Sequence, residues 1–422
     1  MPVAGDRLRG GAVGNSSFMA TVVLVGTLDT KGAEYAWLRE RVRALGCDVV
    51  LVDTGIEASE VDADVPAERV AEAGGTSLGA LRDAGDRGAA VTAMGEGAAA
   101  VLAGLDRVDA VLAVGGSGGS SIAARAVRDL PIGLPKLIVS TMASGDVTPY
   151  VGAKDVTLMY SVADIAGVNR VTRLVLGNAA AAAAGMARAY EAARAAPAAD
   201  ERPVVAASMF GVTTPAVDAA RERLEELGYE VLVFHATGAG GRALEGLVES
   251  GLVEGVLDLT TTELADDLVG GVLSAGPDRL TAAGRRGVPQ VVAPGALDMV
   301  NFGPRETVPE RFEGRVLYVH NPTVTLMRTT PEEMAELGRR VAAKLAAATG
   351  PAALFVPLGG VSALDAPGMP FHDPAADEAC FAAMAGAVDG AVETERLDVN
   401  INDPSFGRAM ADRLHRMISE GA

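Results

Sequence analysis

Apolar residues in this chain come in short unbroken runs, and each run gives way to a loop of small and hydroxyl residues before a helix-like spacing begins. Residues 21–25 lead into Gly26-Thr27-Leu28-Asp29-Thr30-Lys31-Gly32, residues 110–114 into Gly115-Gly116-Ser117-Gly118-Gly119-Ser120, and residues 136–139 into Ser140-Thr141-Met142-Ala143-Ser144-Gly145-Asp146. Runs without a polar face predict strands buried between helix layers, which is the habit of parallel sheets. Strands are expected over 22–25, 49–52, 108–114 and 137–139. Helices are expected over 34–45, most of 78–104, 120–128, and a long, increasingly helical stretch over 155–185. The polar stretch 57–75 reads as a lid or a surface insertion.

Residues 195–203 have linker composition, and the same grammar then restarts: 204–207 leads into Met209-Phe210-Gly211-Val212-Thr213-Thr214-Pro215. Further strands are expected over 231–234, 255–259, 288–292, 316–319, 353–356 and 397–401, with helices over 216–227, 241–250, 332–348, 373–387 and 404–418. Leu45-Gly46-Cys47-Asp48-Val49 matches Leu227-Gly228-Tyr229-Glu230-Val231 in character, so the halves read as copies of one unit, with convergence on a common helix-to-strand connection as the alternative. The fold class is α/β: two Rossmann-like lobes, each a mainly parallel, doubly wound sheet. The expected domains are a floppy extension over 1–18, a first lobe over 19–199 and a second over 200–422.

Composition narrows the function. Of the 422 residues 49% are hydrophobic and only 4% aromatic, which suits tightly packed α/β layers. The net charge of −19 repels nucleic acid and anionic membrane surfaces, and no apolar run is long enough to span a bilayer. Cys47 and Cys380 fit no disulfide framework or metal spacing, and read as buried reduced thiols of a cytoplasmic protein.

A parallel strand breaking into a glycine- and serine-rich loop at a helix start presents backbone N–H groups and a positive dipole end, which is an anion site. Candidate cofactor contacts are Thr27, Asp29, Thr30, Lys31, Asp53, Gly116, Ser117, Gly118, Gly119, Ser120, Thr141, Ser144, Gly145 and Lys154. Arginine supplies all but four of the 36 basic residues, so lysines kept beside these loops draw notice. Asp29 and Asp146 are candidate Mg²⁺ ligands, or simply helix caps. In the second half the loops after the strands carry His235, Glu263, Asp298 and His320 as candidate acid, base or metal groups. Thr237, Gly238, Gly240, Gly241, Arg242 and Asn301 are candidates for a substrate nest. His372 reads as a loop or rim residue and His415 as helix surface.

These strings together, with Leu297-Asp298-Met299-Val300-Asn301-Phe302 and His320-Asn321, resemble an uncharacterised bacterial and fungal family homologous to the N-terminal ATP-binding region of the plant inhibitor of tomato mosaic virus replication. The resemblance runs from Thr21 to the C-terminus. It implies two Rossmann-like lobes, ATP binding with magnesium on the first lobe, and a homodimer or higher homo-oligomer. The expectation is an ATP-dependent enzyme acting on a small anionic, carboxylated metabolite at a cleft between the lobes, with His235 or His320 as base. The alternatives are a non-catalytic nucleotide-sensing module, and a metal-dependent hydrolase or lyase with a phosphorylated substrate.

Overall fold

A computed structural model describes residues 19–196, 202–388 and 392–421. The expected extension over 1–18 and the boundary near 200 lie outside them. The chain divides into two compact units. Residues 19–129, 133–151 and 155–196 form the first; 130–132, 152–154 and the residues from 202 onward form the second.

In the first unit β1 (Thr21–Gly26), β2 (Asp48–Asp53), β3 (Ala110–Gly115), β4 (Lys136–Ser140) and β5 (Val156–Tyr160) form one parallel sheet in the order β2-β1-β3-β4-β5. Every residue of β1, β3 and β4 is buried, which is why those runs lack a polar face. Helices α1 (Leu28–Ala44), α2 (Ala67–Ala73), α3 (Leu78–Ala84), α4 (Arg87–Ala103), α5 (Ser117–Val127), α6 (Thr148–Val151) and α7 (Arg170–Ala195) cover the sheet. Two expectations change. The stretch 78–104 is two helices, because Gly85 turns left-handed (φ 62°) and Asp86 caps a new start at the amides of Gly88 and Ala89. The stretch 155–185 opens with β5 and becomes helical only at Arg170, where Asn169 and Thr172 form a capping box.

The second unit holds β6 (Val204–Met209), α8 (Thr214–Glu226), β7 (Glu230–His235), α9 (Ala239–Glu249), β8 (Gly255–Thr260), α10 (Glu263–Val269), α11 (Ala282–Arg286) and β9 (Gln290–Gly295). There follow β10 (Met299–Phe302), β11 (Leu317–Asn321), β12 (Val324–Arg328), α12 (Pro331–Ala346), β13 (Ala352–Pro357), α13 (Pro374–Val388), β14 (Glu393–Leu397) and α14 (Pro404–Glu420). Its parallel sheet runs β7-β6-β8-β9-β13-β14, so its first four strands repeat the order of the first unit. Two expectations need correcting. The strand placed over 316–319 is β11, in a separate three-stranded antiparallel sheet ordered β10-β12-β11. β10 and β12 carry no expectation in the sequence. The last strand ends at Leu397, before the 397–401 run has properly begun. No described helix is long and apolar enough to cross a membrane.

Candidate functional site

In an open parallel sheet, ligands bind outside the carboxyl ends of the strands where the chain direction of winding reverses. In the first unit that point lies between β1 and β3. Beneath it the Tyr35 hydroxyl donates to the Val25 carbonyl oxygen (2.6 Å) and accepts from the Val114 amide (2.7 Å), tying the two strand ends together. Gly26 is required there, since a Cβ would meet the Tyr35 ring at 1.9 Å. Above it a cavity of about 590 Å³ opens.

The cavity is lined by both loops that flank the switch point: Thr27, Asp29, Thr30 and Lys31 after β1, and Gly116, Ser117, Gly118 and Gly119 after β3. Thr141, after β4, joins them. No side chain caps α5, so the amides of Ser117, Gly118 and Gly119, residues that line the cavity, have no intrahelical acceptor. Gly115 allows the loop to fold back on itself, because a Cβ would lie 2.7 Å from the Gly119 carbonyl carbon and the Ser120 amide. Apolar lining comes from Ala90, Val91 and Met94 of α4 and Ile122 of α5.

Two cations reach this cavity. The Lys31 ammonium donates to the Ile165 carbonyl oxygen (2.7 Å), which leaves it further donors. Arg87, the first residue of α4, makes no hydrogen bond or ion pair among the described residues, and its guanidinium lies 3.5 Å from where a Gly118 Cβ would stand. Reading the sequence did not single out Arg87. It follows an N-cap aspartate rather than a glycine-rich loop, and only the packing of α4 beside α5 brings it to the phosphate-type nest.

Other expected contacts serve the scaffold. Asp53 is buried, its Oδ1 accepts from the amides of Leu28 (3.0 Å) and Gly55 (2.8 Å), and burial pushes its carboxyl above the usual range. Ser120 is wholly buried, with its hydroxyl 2.7 Å from that of Ser140. Ser144 and Gly145 lie in the turn after Thr141 and do not line the cavity. Lys154 packs with the second unit, donating to the Leu130 carbonyl oxygen at 3.3 Å. Asp146 does not line the cavity, and its Oδ1 accepts from the Thr148 amide (3.0 Å). Of these two candidate Mg²⁺ ligands only Asp29 lines the cavity. Among the described residues no group of three or more His, Cys, Asp or Glu side chains is placed to hold a metal.

The second unit treats its own nest differently. Gly238 (φ 80°) and Gly241 aim their amides at Glu263 Oε1 (2.6 and 3.0 Å), so the anion in this nest is the protein's own carboxylate. A Cβ at Gly240 would lie 1.9 Å from the His235 carbonyl oxygen, which explains that glycine by packing. Glu263 Oε2 in turn accepts from Arg279 Nε (2.6 Å), and the wholly buried Arg279 also pairs with Asp258 and Glu245. Arg242 donates to the Ser274 carbonyl oxygen and Thr237 to that of His235.

The remaining candidates separate. Asn301 is on β10, buried, and donates to Asp266 and Thr262. Asp298 is buried beside Asp365 and Arg328, accepts from the Ser362 hydroxyl (2.7 Å), and burial raises its carboxyl to about 7. His320 lies exposed on β11 of the antiparallel sheet, so the expectation that it ends a parallel strand does not hold. His235 does end β7, exposed, with its ring 5.3 Å from that of Phe210.

Comparison with known proteins agrees with the course of the chain. A model of the N-terminal domain of uncharacterised protein family UPF0261 matches residues 20–192, and one of its C-terminal domain matches residues 202–418. A UPF0261 protein of Clostridium tetani is 48% identical over 94% of this chain and 99% of its own, and one of Rhizobium meliloti is 50% identical over 93% and 97%. The ToMV resistance protein Tm-1(GCR237) of Solanum lycopersicum is 40% identical over 93% of this chain, which spans 55% of that longer protein. With both halves matched by its two domain models, the chain belongs to the uncharacterised protein family UPF0261.

Proposed function

We propose that the first unit binds ATP at the β1/β3 switch point and that the protein is an ATP-dependent enzyme acting on a small anionic metabolite. The observation that carries the reading is the uncapped, glycine-rich start of α5 facing a cavity that also holds the unpaired Arg87. Free amides, a helix N-terminus and a guanidinium are the donor set that phosphates require, and the apolar wall from Ala90, Val91, Met94 and Ile122 suits a purine face. Bound ATP supplies a transferable phosphoryl group. Gly116–Gly119, Thr141, Lys31 and Arg87 would hold its phosphates and offset their charge. Magnesium enters this reading as the counter-ion of the triphosphate, which needs few protein ligands. His235, exposed at the end of β7, would be the group that moves a proton, and the nest at Gly238–Gly241, filled by Glu263, is withdrawn from substrate binding.

The reading includes a cytoplasmic homo-oligomer. Buried, unbridged Cys47 and Cys380 support a reducing compartment. The exposed Tyr160 and Val162 at the edge of the first sheet support a self-association surface.

Isothermal titration with ATP, with and without Mg²⁺, tests the reading. Micromolar affinity supports it, and absence of binding at millimolar ATP overturns it. The enzymatic half is tested separately with His235→Ala, expected to keep ATP affinity within about twofold while lowering phosphate release by 10²-fold or more. Unchanged release would remove His235 from the chemistry.

A further inference from the structure

The corner of the cavity where β1 and β2 end holds two oxygen atoms that find no partner among the described residues. Thr54 is 1% exposed, it lines the cavity, and its Oγ1 makes no hydrogen bond. Asp29 Oδ2 accepts from the amides of Ile56 (3.0 Å) and Glu57 (3.1 Å), while Oδ1 of the same carboxylate is buried without a partner. Buried oxygens left unpaired cost free energy, and those that line a cavity are open to a ligand that completes them. The backbone is shaped to hold this carboxylate: a Cβ at Gly55 would fall 2.6 Å from Asp29 Cγ.

Asp29 Oδ1 accepts hydrogen bonds and carries negative charge, so it repels a phosphate and favours a neutral group with O–H donors. The Thr54 hydroxyl can accept from or donate to that same kind of group. Phosphates belong instead to the free amides of α5 and to Arg87, which leaves the sugar for this corner. In nucleotide-binding sheets of this kind the acid at the end of the second strand takes the ribose hydroxyl. Here that residue, Asp53, spends its Oδ1 on the amides of Leu28 and Gly55 and does not line the cavity. The open carboxylate oxygen at the same corner is that of Asp29.

We infer that Asp29 Oδ1 and Thr54 Oγ1 bind the vicinal hydroxyls of the nucleotide's ribose, and that this pair makes the site selective for ribonucleotides. The inference rests on the nucleotide reading above and assigns Asp29 to the sugar rather than to magnesium.

The test is a titration series with ATP, 2′-deoxy-ATP and 3′-deoxy-ATP, each with and without Mg²⁺, on the full chain and on Asp29→Asn and Thr54→Val. Thr54→Val is nearly isosteric. In Asp29→Asn the amide oxygen can keep the Ile56 and Glu57 amides. The wild type should bind ATP at least about tenfold more tightly than either deoxy analogue, the range of one charge-assisted hydrogen bond. Each variant should lose most of that preference, with affinity for the deoxy analogues within about twofold of wild type. Equal wild-type affinity for all three nucleotides overturns the inference while leaving ATP binding intact. So does an equal loss for all three in the variants, or an Asp29→Asn chain whose only change is a lost Mg²⁺ dependence. Failure of every nucleotide to bind overturns the nucleotide reading itself, and the assignment with it.

Discussion

At the scale of single residues, commitment separates the groups that can meet a ligand from those that cannot. Arg87 has no partner among the described residues, whereas Asp53 and Ser120 are spent on the scaffold. Arg87→Ala should therefore weaken ATP binding by about 10- to 100-fold, the range of a charge-assisted contact, with the melting temperature unchanged. A titration beside a thermal melt reads both, and unchanged affinity would remove Arg87 from the site. Burial acts on other residues through pH. Asp266 receives both the amide and Nδ2 of Asn301, yet burial pushes its carboxyl up to about 7. The folded state thus holds this proton more tightly than the unfolded chain. Its contribution to stability is present at low pH and is lost as pH rises from about 4 toward 7, at about 1.4 kcal/mol per pH unit. Asp266→Asn should flatten the fall in stability between pH 5 and pH 8, as measured by denaturant unfolding, by about 2–4 kcal/mol. An unaltered slope would show that Asp266 is ionised throughout. Thr27, Lys31 and Gly116–Gly119 were legible as residues that line a cavity because small and hydroxyl residues after an apolar run mark the loop at a strand's end. Arg87 and Thr54 were not, since their roles arise from what packs beside them.

At the scale of elements, the buried parallel strands were legible because burial on both faces leaves an unbroken apolar run, as in β1, β3 and β4. The edge strand β5, half-exposed, and the four-residue β10 lack that mark and merge into their surroundings. Equally silent is the packing of helices on one another. Helix α4 forms the apolar wall of the cavity, and its position is set by α2. A Cβ at Gly97 would lie 1.9 Å from the Val70 carbonyl oxygen, and one at Gly74 would lie 2.3 Å from that of Ala93. Backbone meets backbone there, so neither neighbour can yield by turning a side chain. Gly97→Ala should push α4 away from α2, lower stability by about 1–3 kcal/mol and weaken ATP binding through the displaced wall. A thermal melt with a matching titration tests this; a variant as stable as wild type would mean that the helices part without cost.

At the scale of the whole chain, the two units share a strand order and differ in what occupies the loop nests. In the first, the amides at the start of α5 are unspent; in the second, Glu263 fills the turn before α9 and is itself held by Arg279. A common arrangement of strands therefore does not imply two nucleotide sites. Titration should give one ATP per chain, and calorimetry should show where it acts. At a ligand concentration 100 times Kd, binding to the folded state adds about 2.7 kcal/mol of stability, confined to the unit that binds. The transition that Gly97→Ala lowers identifies the first unit, because both Gly97 and Val70 belong to it. ATP should raise that transition and leave the other in place. A second ATP per chain, or a shift confined to the transition that Gly97→Ala leaves alone, would move the nucleotide to the second unit and reopen the nest that Glu263 occupies.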